Sequence, residues 1–266
     1  MQPLIDGDIL IYEVGYAAEA GWQQSGFPSF DYVAEILDNR IANICAMVGA
    51  TSPPIIYLTG VGNFRNDIAK RTPYKERPSL KPWHYKNIKA YLRGNYNAIT
   101  STGMEADDLM AIEQSSRIRD GHMDSIICTR DKDLRQVPGH HYGWELGNQP
   151  SFGPMLANSL GSLCLSEDGK KLSGTGELFF YAQCLTGDRV DTVPGLPKCG
   201  AVGAFKILDG AADTYTAFRR VQEAYRAFYG DADKGDEELL EQGRLLWMTR
   251  ELHPDGSPVL WEFPSG

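Results

Sequence analysis

SIICTRDKDL, residues 125–134, sets a short apolar run against two aspartates in D-x-D spacing. Five residues of this kind between polar flanks read as a buried strand. A strand that ends so aims both carboxylates, Asp131 and Asp133, off one sheet edge. An Asx-type turn at Asp131 accounts for the same residues equally well. Working outward, Leu4–Ile5 is a second apolar strand, ending at Asp6 in LIDGD with Asp8 just beyond. Its Asp-Gly step is also a turn dipeptide. PIIYL, 54–58, is a third buried strand. Between them lie helical patterns: one to about Ala20, one from Met104 to Arg119, and one from Tyr32 to Val48. The last carries Val33, Ile36, Leu37, Ile41, Ile44 and Val48 at the 3.6-residue period. Strands alternating with helices predict an α/β domain with a largely parallel sheet covered on both faces. Ligands of such sheets bind beyond the carboxyl ends of the strands, where Asp6 and Asp131 fall.

Acids recur in two further stretches. MEADD places Glu105 and Asp108 at i, i+3 on one helical face with Asp107 beside them, and GDRVD holds Asp188 and Asp191. Acids in a first helical turn also complement the helix dipole, which is the ordinary reading of MEADD. Carboxylates this dense share a pocket only when hard cations neutralise them. Oxygen-only ligation suits Mg²⁺ or Mn²⁺, and two such ions make a phosphodiesterase site.

The chain of 266 residues is long enough for a proper core without disulfides or structural metal. Its start lacks the basic segment and apolar run of a signal peptide, and no stretch is long enough to span a bilayer. Five scattered cysteines without C-x-x-C spacing are expected to be reduced thiols of an intracellular protein, and a zinc site is not expected. The net charge of −9 conceals a strong asymmetry. Between Val61 and Ala98 nine cations face two acids, a local +7 that leaves −16 for the remainder. A solvated basic helix pair explains such a run on its own. Beside an acidic, metal-charged pocket, it is also the layout for holding a phosphate backbone.

That basic stretch has short helical runs, Asn63–Lys70 and Trp83–Arg93, between Pro73, Pro78 and Pro82. Residues 151–176, rich in Gly and Ser, form a seam. Beyond it Glu177–Leu185, Tyr215–Tyr229 and Glu237–Leu252 read as helices, so the last third is an α-helical region. Within it, LTGDRVDTVPGLPKCGAVGAFKIL, 185–208, runs from a helix end through a Pro/Gly-punctuated loop into a short helix from about Gly200. Such a loop and helix start present backbone N–H groups to phosphate. A helix–loop–helix corner without a ligand reads the same way.

Taken in order, LIDGD, YKERP, MEADD, TRDKDL and GDRVDTVPGLPKCG resemble the 5′-nuclease family. That family includes flap endonucleases, the 5′-nuclease domain of bacterial DNA polymerase I and bacteriophage 5′-3′ exonucleases. The resemblance covers positions 4 to 208. It implies a PIN-like α/β core with a helical arch, and a C-terminal α-helical helix-three-turn-helix region that grips duplex DNA. In domain terms, 1–176 would be the catalytic core, with its basic arch at about 61–98, and 177–266 the DNA-gripping region.

Carried over by position, Asp6, Glu105, Asp107, Asp108 and Asp131 would serve the first of two Mg²⁺ (or Mn²⁺) ions. Asp133, Asp188 and Asp191 would serve the second. Lys75 matches the arch lysine that reaches the scissile phosphate, with Arg77 beside it. Lys70, Arg71, Tyr74, Lys81, Lys86, Gly195, Lys198, Gly200 and Lys206 would contact DNA. Loop carbonyls of the Gly195–Gly203 turn would hold K⁺. The implied protein is a monomeric cytoplasmic nuclease (in host cytoplasm if phage-encoded) for DNA with 5′ ends, flaps or nicks, or for an RNA primer–DNA hybrid. The chain departs from the family pattern at four places. Thr59 stands where relatives carry a further Asp, with Asp8 as its substitute, and Glu13 stands where they carry Arg. Arg77 follows Lys75 by two residues instead of three. The usual Gly-x-Gly-Pro-Lys reads Lys198-Cys199-Gly200-Ala201-Val202. Two rival readings remain: an Asp-nucleophile phosphatase built on LIDGD, and a catalytically decayed DNA-binding relative.

Overall fold

The computed structural model describes residues 1–23, 25–75 and 80–265. Arg77 lies outside them. The chain divides into two compact units, the first made of residues 1–62, 79–134 and 139–156, the second of 63–78, 135–138 and 157–266.

In the first unit β1 (Gln2–Asp6), β2 (Ile55–Val61), β3 (Ile99–Thr102), β4 (Ser125–Cys128), β5 (Gly139–Gly143) and β6 (Phe152–Ala157) form one sheet in the order β3-β2-β1-β4-β5-β6. The β1–β2, β2–β3, β1–β4 and β4–β5 pairings are all parallel. The direction in which successive strands are added therefore switches between β1 and β4, and the carboxyl ends of these parallel strands open the crevice where α/β sheets take ligands. One face carries Ile5, Ile56, Leu58, Ile126 and Cys128 into a core with α1 (Gly7–Gly21), α2 (Phe30–Met47) and α4 (Tyr85–Asn95). The alternate residues Leu4, Tyr57 and Ile127 are equally buried, and α5 (Ala106–Arg119) packs on these strands. Side chains alternate across a strand, which explains the continuous apolar runs of a sheet covered on both faces.

The second unit holds α3 (Arg65–Ile68), the antiparallel pair β7 (Ser162–Leu165) and β8 (Leu172–Thr175), and α6 (Gly176–Thr186), α7 (Ala201–Leu208), α8 (Thr214–Tyr229) and α9 (Ala232–Leu246). Its core gathers Phe180, Tyr181, Phe218, Tyr225 and Trp261. Arg65 is fully buried there, donating from Nε to Leu245 O at 2.9 Å and from Nη2 to Trp247 O at 2.8 Å. These bonds anchor the first part of the basic stretch to the end of α9.

Two expectations need correcting. The Gly/Ser-rich seam is folded: β6, β7 and β8 occupy most of 152–175, with Gly161 and Gly169 between the strands. The last helix is α9, ending at Leu246 instead of Leu252. Among the described residues no helix is long and apolar enough to cross a membrane, and all five cysteines are free thiols.

Candidate metal centre

Asp6 closes β1 and caps α1. Its Oδ1 accepts the Ile9 N–H at 3.0 Å, and its Oδ2 accepts the Thr129 hydroxyl at 2.7 Å from just beyond β4. Strand thus runs directly into helix, and Gly7 is needed at the junction, because a Cβ there would meet Tyr57 O at 2.6 Å. Asp8 follows in the first turn and accepts the Thr59 N–H on Oδ2 at 2.9 Å. Thr59, near the end of β2, ties three elements. Its hydroxyl oxygen accepts the Ala106 N–H at 3.0 Å where α5 begins, and its carbonyl accepts from Lys89 Nζ of α4.

Glu105 and Asp108 form a reciprocal capping box at the start of α5, the Asp108 carboxylate accepting the Glu105 N–H at 3.2 Å. Asp108 is fully buried and Asp107 half-buried. Beyond β4, the Asp131 N–H donates to Thr129 Oγ1, and Asp131 Oδ1 accepts the Asp133 N–H at 2.8 Å. D-x-D is therefore an Asx-type turn as well as a strand end, and Asp133 pairs with Lys132 at 2.9 Å. The first unit thus collects Asp6, Asp8, Glu105, Asp107, Asp108, Asp131 and Asp133 at strand ends and at the start of α5.

In the second unit α6 ends at Thr186 and the chain turns through Asp188, whose Oδ1 accepts the Val190 N–H at 2.7 Å. Asp191 Oδ2 accepts the Tyr74 hydroxyl at 2.9 Å, and Lys75 Nζ lies 3.5 Å from its Oδ1. The Lys75 N–H also donates to Asp191 O, and the Thr72 hydroxyl to Thr192 O. Lys75 and Asp191, singled out from separate motifs, are in contact.

Other candidates are placed differently. Tyr74 is buried in the core and presents no open ring face to a base. Arg71 forms an ion pair with buried Glu238 and bonds the Tyr229 hydroxyl at 3.0 Å. Lys70 bonds Glu241 through its backbone N–H, its side chain exposed. Lys81, Lys86, Lys198 and Lys206 are exposed. Gly195 gives its N–H to Gln242 at 2.9 Å, and Gly200 is the residue capping α7. Glu13 is a buried partner of Arg40 at 2.6 Å and accepts the Trp144 indole N–H. Thr59, Thr129 and Lys89 tie the acidic residues to the sheet. No residue pattern marks them, since their roles arise from strand order.

Among the described residues no group of three or more carboxylates, imidazoles or thiols stands ready to hold a metal ion. The oxygens traced above cap helices and close turns. The donor set nevertheless fits a hard divalent cation. It is made of carboxylates, and burial together with the charge of Asp8 pushes the Asp6 carboxyl up to about 6. A buried carboxylate whose ionisation is disfavoured by burial and by a neighbouring acid is relieved by a cation.

Solved structures share the fold that carries these residues. The bacteriophage T5 5′-exonuclease with bound divalent zinc ions superposes with a TM-score of 0.57 over 91% of this chain and 88% of that one, at 14% identity. The chain has the 5′-nuclease fold. A second 5′-nuclease structure, the bacteriophage T5 flap endonuclease in a pseudo-enzyme-product complex with DNA and metal ions, matches at a TM-score of 0.52 and 13% identity. It covers 92% of this chain and 98% of that one. In sequence, the chain is similar to DNA polymerase I of Pseudomonas aeruginosa (33% identical over 111 residues) and of Rhizobium leguminosarum (30% over 129). The matched stretches are 41% and 48% of this chain but only 11% and 12% of the polymerases. No protein-family description matches the chain.

Proposed function

We propose that this chain is a divalent-metal-dependent 5′-nuclease that hydrolyses DNA phosphodiester bonds, leaving 5′-phosphate and 3′-hydroxyl. The observation that carries the reading is the Asp6 carboxylate, hydrogen-bonded across the β1–β4 crevice and raised first by its burial and then by its neighbour Asp8. Asp6, Asp8, Glu105, Asp107, Asp108 and Asp131 are proposed to hold one Mg²⁺ or Mn²⁺, and Asp133, Asp188 and Asp191 a second. Bound divalent ions supply a water activated for attack and charge stabilisation for the leaving oxygen. Lys75, held at Asp191, is the proposed donor to the phosphoryl oxygens. Arg77 is proposed to assist it. Lys81, Lys86, Lys198 and Lys206 are proposed phosphate contacts, with K⁺ at the Gly195–Gly203 loop.

The phosphatase reading fits Asp6 less well, because hydrogen bonds engage both of its oxygens. The deciding experiment is cleavage of a 5′-labelled duplex in Mg²⁺ or EDTA, by the wild type and by Asp131→Asn. Turnover that needs Mg²⁺ and falls by several decades in the variant, with DNA binding in Ca²⁺ retained, is the expected result. Near-normal turnover of the variant overturns the metal assignment. Binding without any cleavage would leave a DNA-binding protein.

A further inference from the structure

α9 is an odd element for a region that grips DNA. It carries five acids (Asp233, Asp236, Glu237, Glu238 and Glu241) against two cations, Lys234 and Arg244. A negative helix repels a phosphate backbone, and three of these acids are turned on the second unit itself. Asp236 pairs with Arg226 of α8. Glu238 is buried, with Lys234 Nζ at 2.8 Å and the Arg71 guanidinium against the same carboxylate oxygen. Glu241 Oε1 accepts two successive backbone N–H groups, from Lys70 at 3.0 Å and from Arg71 at 3.2 Å.

Arg71 is thus held twice by one helix, its backbone by Glu241 and its side chain by Glu238 one turn away. The guanidinium also donates to the Tyr229 hydroxyl and lies 5.7 Å over that ring. An arginine so engaged serves the fold. From there the chain has four residues to Lys75, and three of them are tied down too. The Thr72 hydroxyl donates to Thr192 O at 2.9 Å, the Tyr74 hydroxyl to Asp191 Oδ2 at 2.9 Å, and the Lys75 N–H to Asp191 O at 3.2 Å. Lys75 has φ 50° and Thr192 φ 62°. Residues other than glycine persist in that region where their surroundings hold them. The Lys75 side chain nevertheless stays 38% exposed.

We infer that α9 sets Lys75 in place before DNA arrives, and that Glu241 is a positioning residue acting through the backbone of residues 70 and 71. This rests on the reading of Lys75 as the donor to the phosphoryl oxygens, and adds to it a cause for the lysine's placement. A charge-stabilising donor works best when it needs no reorganisation at the moment of reaction. A misplacement of about 1 Å costs on the order of 10²-fold in rate.

Two measurements test this. The first is amide hydrogen exchange by NMR in metal-free protein. Glu241→Ala should speed exchange about tenfold at the Lys70 and Arg71 amides and, decisively, at the Lys75 amide. Glu241→Gln keeps an oxygen acceptor and should stay within about twofold of the wild type. Both variants remove the same charge, so the difference between them isolates the hydrogen bonds. Thr72→Val, which unties the segment from Thr192 O, should also speed exchange at Lys75 and serves if Glu241→Ala does not fold. The second measurement is single-turnover cleavage of a 5′-labelled duplex in Mg²⁺. Glu241→Ala should lower it about tenfold, inside the roughly 10²–10³-fold cost of Lys75→Ala, and Glu241→Gln should restore it. In a Lys75→Ala background, Glu241→Ala should change the rate no further. A full additional loss in that background overturns the proposal, because Glu241 then acts elsewhere. So does unchanged exchange at Lys75, or a Gln variant as slow as the Ala one. A wild type that cuts nothing refutes the nuclease reading, and exchange at Lys75 then decides by itself whether α9 holds the lysine.

Discussion

Replacing Asp6 by Asn tests the metal centre without any substrate. The Asp6 carboxyl is 2% exposed and raised from 3.8 to about 6, by burial first and Asp8 second. A carboxyl raised in the folded state holds its proton more tightly there than in the unfolded chain. Its contribution to stability is therefore intact below about pH 4 and lost as pH rises through about 6. From those two values the loss is on the order of 3 kcal/mol in metal-free protein at neutral pH. Asn carries no charge to bury, but matches the Ile9 N–H and Thr129 hydroxyl less well, at a cost of about 1 kcal/mol. Without metal at pH 7.5, Asp6→Asn should thus be stabilising by about 2 kcal/mol, or about 4–8 °C in Tm for a chain of this size. At pH 4 the advantage should vanish and the variant should be slightly the less stable. If Asp6 holds the proposed metal, adding Mg²⁺ or Mn²⁺ should reverse the order, because the wild type would gain stability by mass action and the variant would lack that ligand. Thermal unfolding by circular dichroism, in EDTA and in each metal, measures all three. A variant destabilised equally at both pH values, or stabilised by metal as much as the wild type, refutes the reasoning.

Lys75→Ala should lower single-turnover cleavage by roughly 10²–10³-fold, the scale of one lost charge-stabilising donor, while Lys86→Ala should mainly weaken affinity and flatten its salt dependence. If the two variants behave alike in rapid-quench and binding assays, Lys75 has no special role. Thr59→Asp keeps an acceptor for the Ala106 N–H and adds a carboxylate near Asp8, so the Mg²⁺ midpoint of activity should fall. The wild type should prefer Mn²⁺ at low concentration, and identical Mg²⁺ titrations would show that residue 59 does not serve the metal. Arg65→Met leaves the carbonyls of Leu245 and Trp247 without their donor and should cost about 2–4 kcal/mol. Its denaturant midpoint will show this, and an unchanged midpoint would mean that those carbonyls find other partners.

The sheet was legible where strands are apolar. LID, PIIYL and SIICT all pair in the parallel core, because a strand covered on both faces needs continuous apolar residues. β3, β5 and β6 were not, since ITST, GHHYG and FGPMLA carry polar residues, glycine or proline that read as loop. The hairpin β7–β8 hid in a Gly/Ser-rich tract for the same reason. At the candidate site the sequence pointed to the acids but not to what holds them. Asp6 and Thr129 are 123 residues apart, Asp8 and Thr59 51 apart, and only strand order brings such pairs together. The capping box at Glu105 and the Asx turn at Asp131 show that ordinary structural roles and ligand candidacy belong to the same atoms.

Arg65 reaches its carbonyl partner at Leu245 across 180 residues of chain. During synthesis at about 5–20 residues per second, that partner emerges roughly ten to forty seconds later. Until then the segment leading to Lys75 lacks its buried anchor, and Tyr74 and Lys75 must also await Asp191. A growing or prematurely ended chain therefore carries its acids without a fixed lysine. The second unit's anchor for Lys75 is therefore complete only once the last helix, α9, has been made.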